Sequence, residues 1–310
     1  LPETLIFDFP TLRQIQTQVT TQLRPGSPAA PPVNPIVSLM QSMHYRPVVA
    51  ASPPVASTLT VAGTCCRLPQ ELASVVALQR AVTTAQDAVA SVPATRWEAA
   101  RRLLGAEASV AERARHGAFI HGAAAFDNGG FAISKAEASA MDPQQRVLLE
   151  GGYAALHASA FDRATLNGSG TGVALGIYAT EFAELLAGSA LGSSVYASTL
   201  TLSIASGRVS FALGLQGPCV SFETACSASL VACHSAARAL QHAECRTHLT
   251  AGINLMLLPA SSVGMAIAGM TSIVGRCHTF DHRADGFVRG EGCSVAVVCT
   301  SSNDGLGRVM

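Results

Sequence analysis

Charged residues are scarce in this chain of 310 amino acids, at 13% of the total. The 20 basic residues are matched by 20 acidic ones, so there is no charge excess of either sign that would attract nucleic acid or an anionic membrane surface. Hydrophobic residues make up 49% of the chain, and its mean hydropathy is +0.33. This composition indicates extensive internal burial, a large subunit interface or a membrane segment.

A recognisable membrane or secretion signal is also missing. Residues 185–207 and 247–275 contain no Asp, Glu, Lys or Arg, and each stretch is long enough in principle to span a bilayer. The first is dense in Ser, Thr and Gly, and the apolar runs of the second are short, so buried elements of a soluble fold explain both better than a transmembrane helix. The chain starts at Leu1 without an initiator Met and without a signal pattern, as expected for a piece of a longer, non-secreted chain.

The nine cysteines form no C-x-x-C pair and no regular framework. In a chain of this size, such scattered cysteines are typical of a reduced, intracellular protein, and we expect a cytoplasmic location. Most of them are expected to fill core positions. Their spacings do not support a metal site, so none is predicted.

Three regions of the chain differ in composition. Residues 1–24 are predicted to contain one amphipathic helix, because apolar residues follow a 3-4-4 spacing from Leu12 to Leu23. Residues 25–57 are rich in Pro, Ala and Ser and are predicted to be a semi-rigid linker. Strand and helix patterns alternate only in the third region, residues 58–310.

The alternating patterns predict a layered α/β fold with largely parallel strand pairing. Strands are predicted at residues 59–65, 172–178, 219–223, 249–257 and 293–300. Helices are predicted at residues 72–89, 136–158 and 227–243, with a restart at Asp142-Pro143 inside the second. The third helix carries no charge before Arg238, so we expect it to be buried on nearly all sides.

The segment around Cys226 carries the clearest chemical signal. A short strand runs into a tight turn at Thr224, and a helix is predicted to open at Cys226. Small residues leave space around the sulfur: Ala225, Ser227, Ala228 and Ser229. At a helix N-terminus the macrodipole favours the thiolate, and free backbone N–H groups can stabilise an oxyanion on an attacked thioester carbonyl. From this local pattern alone, a catalytic nucleophile and a structural cysteine are equally open.

A wider resemblance decides between these readings. Residues 224–230 read TACSASL and are similar to TACSSSL, the active-site signature of β-ketoacyl synthases (ketosynthases). Further family motifs follow in the same order: VAGTCCRLP at 61–69, RHGAF at 115–119, FD at 126–127, FAIS at 131–134, MDPQQRVLLE at 141–150, RVSFALGLQGP at 208–218, AGIN at 251–254, FD at 280–281 and DGFVRGEG at 285–292. The combination most resembles ketosynthases of modular type I polyketide synthases. Glu223 replaces the more usual Asp and Ala228 the middle Ser, and both changes leave the thiol intact.

The resemblance implies a thiolase-like layered fold, α-β-α-β-α in the complete domain, of which this chain supplies the N-terminal half. Cys226 would accept an acyl chain from an acyl carrier protein for decarboxylative Claisen condensation with a malonyl-type extender, in a polyketide or fatty-acid-like synthase. The substrate arm would be phosphopantetheine on the carrier, and the ketosynthase itself would bind no cofactor. A homodimer is expected for the complete domain, with residues 185–207 as a candidate part of the interface.

The resemblance also implies which residues surround the nucleophile. The expected active-site neighbourhood comprises Thr224, Ala225, Ser227, Ala228, Ser229, Phe287 and Glu291. We expect Glu291 to order its loop rather than to act as an acid or base. Upstream, residues 1–11 resemble the end of an acyl carrier protein, just before its final helix. Residues 1–24 are therefore predicted to be a carrier tail, residues 25–57 a linker and residues 58–310 a truncated ketosynthase; an unrelated amphipathic helix is the alternative for 1–24.

Two histidine motifs of the family do not occur in the sequence. The family's HGTGT- and N-x-G-H-type motifs polarise the extender thioester, and we expect them beyond residue 310. His234 lies eight residues after Cys226, about 12 Å along a helix, and is expected to pack there. His278 and His282 occupy a loop that the family places near the site. This chain alone is therefore predicted to become acylated without completing condensation. The alternatives are a non-elongating scaffold or acyl-gating domain and, less favoured, a thiolase acting on free coenzyme A esters.

Overall fold

The computed structural model describes residues 58–97, 107–178, 181–187, 189 and 200–300. The predictions for residues 1–24 and 25–57 lie outside these ranges, as does part of the uncharged stretch at 185–207. Within the described ranges, no helix is long and apolar enough to cross a membrane.

Seven strands and nine α-helices alternate along the described residues. The strands are β1 Leu59–Arg67, β2 Ala90–Ser91, β3 His116–Gly117, β4 Gly172–Ile177, β5 Cys219–Phe222, β6 Thr247–Asn254 and β7 Gly292–Thr300. The helices are α1 Val75–Thr83, α2 Ala108–Ala114, α3 Lys135–Ala140, α4 Pro143–Ala158, α5 Arg163–Leu166, α6 Glu181–Leu186, α7 Leu202–Leu213, α8 Ala228–Gln241 and α9 Pro259–Ile267. The α/β class expected from the sequence is confirmed.

Five strands form the main sheet in the order β1-β7-β6-β4-β5. β4 pairs in parallel with β5 and β6, whereas β7 runs antiparallel to both β6 and β1. The prediction of largely parallel pairing is therefore wrong for two of the four strand pairs. A strand that is covered on both faces reads as an apolar run whether it pairs in parallel or antiparallel. The sequence pattern therefore could not distinguish parallel from antiparallel pairing.

The two faces of the sheet carry side chains of different size. On β4, Val173 and Leu175 point into the main core, whereas Ala174 and Gly176 point to the opposite face. β6 and β7 repeat this alternation, with core side chains from Leu249, Ala251, Ile253, Cys293, Val295 and Val297. The helices α4 and α7 pack on the face with the larger residues, and α8 packs on the other. The small residues beneath α8 allow its backbone to approach the strands closely.

The restart predicted at Asp142-Pro143 is confirmed as the junction of α3 and α4. The carboxylate of Asp142 accepts a hydrogen bond from the backbone N–H of Gln144 at 2.7 Å and so caps α4. Pro143 occupies the first helical position, where its missing N–H would have no helical partner anyway. From this start α4 crosses the sheet and buries Leu148 and Leu149 completely.

Three predicted elements extend beyond the observed ones. The helix predicted at 72–89 is only α1, because the hydroxyl groups of Thr83 and Thr84 bond back to the Arg80 carbonyl and Ala85 turns into the left-handed region at φ 50°. The strand predicted at 249–257 ends at Asn254, and the helix predicted at 227–243 ends at Gln241. In each case the apolar pattern continues past the last hydrogen-bonded residue, so the pattern alone overestimates the length.

The helix α8 is not buried on nearly all sides, contrary to the sequence-based expectation. Ala232 and Ala236 pack against Ala174 on the sheet, but Leu230 is 72% exposed. The helix lacks charge because it is rich in Ala and Ser, and these small residues are compatible with either a buried or an open face. Only one face of α8 is covered by the described residues.

Candidate active site

The turn between β5 and α8 holds Cys226 in an unusual backbone conformation. Residues 225–227 form a single 3-10 turn, and α8 begins at Ala228 rather than at Cys226. Ala225 has a φ of 50°, a left-handed value that is disfavoured for a residue with a Cβ. Ser227 stabilises the turn, because its hydroxyl donates to the Thr224 carbonyl at 2.8 Å and lies 2.9 Å from the Thr224 hydroxyl. Strained backbone of this kind is often found at functional sites.

The backbone amides of this turn are not equivalent. The N–H of Ser227 bonds to the Thr224 carbonyl, and the N–H of Ala228 bonds to the Ala225 carbonyl. Within the described part of the chain, the N–H of Cys226 has no hydrogen-bond acceptor. It is therefore free to donate to an oxyanion that forms on a carbon bonded to the Cys226 sulfur.

Two glycines beneath α8 set the position of this turn. A Cβ on Gly176 of β4 would lie 2.4 Å from the carbonyl carbon of Ala228 and from the nitrogen of Ser229. A Cβ on Gly252 of β6 would lie 2.5 Å from the Cβ of Ser229. Both distances are shorter than any tolerated contact, so the first turn of α8 can rest on the sheet only because these positions lack side chains.

Cys226 lines an open cleft of about 1140 Å³ between α8, the sheet and the segments before β7. Its walls are mainly apolar and include Leu78, Leu230, Met265, Met270 and Val288. The thiol itself is solvent-exposed, as a nucleophile that meets a large substrate must be. Apolar walls with few polar groups suit an alkyl chain better than a sugar or nucleotide.

The structure brings together six of the eight residues predicted for the site. The cleft is lined by Cys226, Ala225, Ala228, Ser229, Phe287 and Glu291. Thr224 and Ser227 are not part of the lining, and they act instead through the hydrogen bonds that hold the turn. The sequence reasoning did not single out Gly176 and Gly252, although glycine inside a strand is a known signal of close backbone approach.

Glu291 supports the cleft wall with its carboxylate. It is 4% exposed and accepts hydrogen bonds from the Arg96 guanidinium at 2.7 and 2.8 Å. It also accepts from the backbone N–H groups of Ile120 at 2.9 Å and Met256 at 3.0 Å. With four donors on its two oxygens, Glu291 ties three segments together and has little capacity left for proton transfer. This geometry agrees with the expected loop-ordering role.

Burial lowers the reactivity of three other cysteines. Burial raises the pKa of the Cys65 and Cys66 thiols, and it raises the pKa of the Cys293 thiol to about 12. A higher pKa leaves less thiolate at neutral pH, so these thiols are poor nucleophiles. Cys233 also lines the cleft, two helical turns after Cys226, and accepts a hydrogen bond from the Thr250 hydroxyl at 3.5 Å.

No histidine among the described residues lines the cleft. His234 is exposed on α8, so the expectation that it packs in the helix is wrong; its side of α8 is the uncovered one. His282 is also exposed and pairs with Asp281 at 3.4 Å, and His278 does not line the cleft either. In the same part of the chain, no group of three His, Cys, Asp or Glu side chains is arranged to hold a metal ion.

Comparison with known proteins gives a consistent assignment. The family described as "Beta-ketoacyl synthase, N-terminal domain" matches residues 56–304. The mycocerosic acid synthase-like polyketide synthase of Mycolicibacterium smegmatis is 40% identical over 240 residues, which cover 76% of this chain and 11% of that protein. Polyketide synthase GfsB of Streptomyces halstedii is 38% identical over 302 residues, which cover 96% of this chain and 5% of that protein.

Solved structures show the same fold. The ketosynthase from module 6 of the bacillaene synthase of Bacillus subtilis superimposes with a TM-score of 0.68 at 32% identity. That match covers 78% of this chain and 40% of the bacillaene ketosynthase chain. The chain therefore spans less than half the length of the ketosynthase to which it is similar, and a small part of each polyketide synthase. The α/β layers are those of the thiolase-like ketosynthase fold, and the chain belongs to the β-ketoacyl synthase family, whose N-terminal domain it contains.

Proposed function

We propose that this chain is the acyl-accepting part of a polyketide synthase ketosynthase and that Cys226 is its nucleophile. The observation that carries the proposal is the placement of Cys226: an exposed thiol on a strained turn at the wall of an apolar cleft, with its own N–H unpaired. Nucleophile, oxyanion donor and a surface for an alkyl chain coincide there.

The first step is transthioesterification. The Cys226 thiolate attacks the carbonyl carbon of an acyl thioester carried on the phosphopantetheine arm of an acyl carrier protein. A C–S bond forms, and the carbonyl π electrons move to oxygen, where the Cys226 N–H donates a hydrogen bond. The tetrahedral intermediate then collapses, the bond to the phosphopantetheine sulfur breaks, and the released thiolate takes up a proton. The carrier supplies the phosphopantetheine, and no cofactor bound to the ketosynthase is required.

The second step is decarboxylative condensation. A malonyl-type extender on a carrier loses CO2, and the electron pair left on its α-carbon attacks the acyl carbon on Cys226. A C–C bond forms and the Cys226 thiolate leaves, which gives a β-ketoacyl thioester. We expect this step to need the two histidines of the family's later motifs, so the 310-residue chain should become acylated without condensing.

Acylation can be tested directly on the purified chain. We expect octanoyl-N-acetylcysteamine, a small phosphopantetheine thioester analogue, to transfer one octanoyl group to Cys226, located by tandem mass spectrometry. Cys226→Ala should lose this label. Cys233→Ala is the matched control, because it removes the other exposed thiol of α8 in the same cleft and should keep the label on Cys226.

The same measurement separates the alternatives. A non-elongating scaffold or gate does not need the thiol, so a wild-type chain that stays unlabelled at Cys226 would contradict acyl capture and favour the scaffold. A thiolase would prefer free coenzyme A esters. Labelling from octanoyl coenzyme A that is much faster than labelling from an octanoyl carrier protein would favour that reading.

The N-terminal region and the assembly complete the proposal. We propose residues 1–24 as a carrier tail, 25–57 as the linker and 58–310 as ketosynthase; the GfsB match covers 96% of the chain and therefore extends N-terminally of the family match at 56–304. A homodimer is supported by the edge of β5, which no other described strand pairs with, and by exposed apolar side chains on α7. All nine cysteines are free, which supports a reducing, cytoplasmic location.

A further inference from the structure

Four successive backbone amides after β6 donate to buried side chains from three different segments. The N–H of Leu255 bonds to the Gln144 side-chain oxygen at 3.3 Å, and the N–H of Met256 bonds to Glu291 at 3.0 Å. The N–H groups of Leu257 and Leu258 both bond to one carboxylate oxygen of Glu181, each at 2.7 Å. The connection 255–258 is thus held by side chains from distant segments, and no described strand pairs with it.

Glu181 is the least expected of these acceptors. It is the first residue of α6 and is only 6% exposed. One of its carboxylate oxygens takes both amides, and the other is buried without a partner in the described structure. Burial of a carboxylate without full hydrogen bonding is costly, so its presence at this position calls for a structural explanation.

The two amides bound by Glu181 lie at the entrance to α9. Leu258 is the N-cap residue of α9, and its own side chain provides no cap hydrogen bond. Glu181 therefore satisfies the N–H groups of the two residues that lead into α9 and places its carboxylate near the positive end of the helix dipole. The helix is also tied to the loop before β7, because the Arg289 guanidinium donates to the Ser262 hydroxyl at 2.7 Å.

The opposite end of α9 forms part of the cleft that contains Cys226. Met265 lies on α9 and Met270 follows it, and both line the cleft. Thioether side chains are flexible and adapt to alkyl groups of varied shape. A displacement at the start of this nine-residue helix would move both methionines, since the helix acts as a short rigid unit.

We propose that Glu181 is a positioning residue that fixes α9 and thereby sets the methionine wall against which the acyl chain on Cys226 packs. This inference rests on the proposed acyl capture for its biological meaning, but the geometry of the wall can be measured without it. Charged groups around Glu181 belong to the same buried network: Asp142 lies close enough for the two carboxylates to repel, and Arg289 lies close enough for attraction.

The test compares two maleimides with the same reactive group, N-methylmaleimide and N-octylmaleimide, on the 310-residue chain. The ratio of their rates at Cys226, resolved by tandem mass spectrometry, measures how well the cleft holds an eight-carbon tail. Glu181→Met keeps the volume but removes the acceptor. We expect its octyl-to-methyl ratio to fall by about fivefold or more, the loss expected when one or two methylene groups lose their burial. The rate with N-methylmaleimide should stay within about twofold of wild type.

Three further variants make the result specific. Glu181→Gln keeps an acceptor oxygen and should restore most of the wild-type ratio, which general destabilisation would not explain. Glu181→Asp keeps the carboxylate on a shorter side chain and should give an intermediate octyl-to-methyl ratio. This variant still tests the inference if Glu181→Met does not fold. Glu184→Ala, an exposed position on the same helix, should behave as wild type. A wild-type ratio in Glu181→Met, or in Glu181→Asp if only that variant folds, would overturn the inference.

A parallel reaction with octanoyl-N-acetylcysteamine separates the two proposals. If wild type is not acylated but the maleimide ratio falls in Glu181→Met, the positioning role stands and acyl capture fails. If wild type is acylated at Cys226 and the ratio is unchanged in Glu181→Met, acyl capture stands and the positioning role fails.

Discussion

Asp142 has two effects on stability that oppose each other. As the N-cap of α4 it accepts the Gln144 amide, but it is only 1% exposed. Burial, with a smaller contribution from the nearby Glu181 carboxylate, raises its pKa from the ordinary 3.8 to about 6, against the opposing effects of the Gln144 hydrogen bonds and of Arg146. Because the folded state binds this proton more tightly than the unfolded state, the free energy of unfolding should fall as pH rises from about 4 to about 6.

Replacement of Asp142 by Asn should remove that pH dependence. Asn keeps an acceptor for the cap and carries no charge at any pH. Between pH 4.5 and pH 7.5 the wild type should lose free energy of unfolding that Asp142→Asn does not lose. The difference should be at most about 3 kcal/mol for a pKa shift of this size. Urea denaturation at the two pH values measures the difference.

The exposed cap of α5 provides the control. Hydrogen bonds from Thr165 lower the pKa of Asp162, so its stabilising effect is present above the ordinary pKa and is lost only as pH falls below about 4. Asp162→Asn should therefore leave the change in stability between pH 4.5 and pH 7.5 as in wild type. If the free energy of unfolding of Asp142→Asn changes between the two pH values as much as that of wild type, Asp142 does not titrate in this range.

At the scale of elements, the contact of α8 with β4 and β6 determines where Cys226 lies. Gly176→Ala introduces a Cβ at 2.4 Å from the α8 backbone, and backbone cannot rotate away as a side chain can. We expect a loss of stability of about 1–3 kcal/mol, typical of overpacking. The octanoylation rate of Cys226 should fall by about tenfold or more, because a misplaced nucleophile loses its alignment with the carbonyl.

A second glycine distinguishes crowding from a general effect of alanine. A Cβ at Gly170, in the loop before β4, would have no atom within 4 Å. Gly170→Ala should therefore match wild type in both the urea midpoint and the octanoylation rate. Equal behaviour of the two variants would show that the close approach of α8 does not position the thiol.

The sequence predicts most elements because their signals are local. The restart at Asp142-Pro143 and the strands β1, β4, β5 and β7 follow from capping chemistry and apolar runs that need no knowledge of neighbours. Strand direction and the open face of α8 depend on contacts between distant segments, whereas the end of α1 is set by local hydroxyl-to-carbonyl bonds that the apolar spacing does not register. Neither kind of contact is encoded in the apolar spacing of a single stretch, which explains why these three expectations were wrong.

The candidate site shows the same division. Cys226 and its turn are local, and the resemblance identifies them by their motif. Glu181 is different: nothing in its immediate sequence indicates that it reaches Leu257 and Leu258, which are separated from it by more than 70 positions. The need for glycine at position 252 is likewise visible only in the folded structure, where Ser229 packs against it.

At the scale of the whole molecule, the β5 edge of the sheet has no partner strand among the described residues. There β5 pairs only with β4, and Val220 on this edge is 41% exposed. On α7, which packs beside β5, Phe211 is 90% exposed and Ile204 is 37% exposed. An unpaired edge flanked by exposed apolar side chains favours association of two copies through the same surface.

Light scattering coupled to size exclusion can test this dimer. We expect the wild-type chain to elute as a dimer at micromolar concentration and Phe211→Glu to elute as a monomer, because a charge in an apolar interface is costly to bury. Ile267→Glu, a change at a 70% exposed position on α9, should remain dimeric. A monomeric wild type would contradict the dimer proposal.

The pairing of β1 with β7 also has a consequence for how the chain is made. Thr60 and Cys299, which lie opposite each other in that ladder, are separated by 239 positions. At a synthesis rate of roughly 5–20 residues per second, β1 leaves the ribosome roughly 10–50 seconds before β7, its one ladder partner among the described strands, has been made. During that interval its backbone groups are unpaired, so nascent chains should depend on chaperones until β7 emerges and closes the sheet.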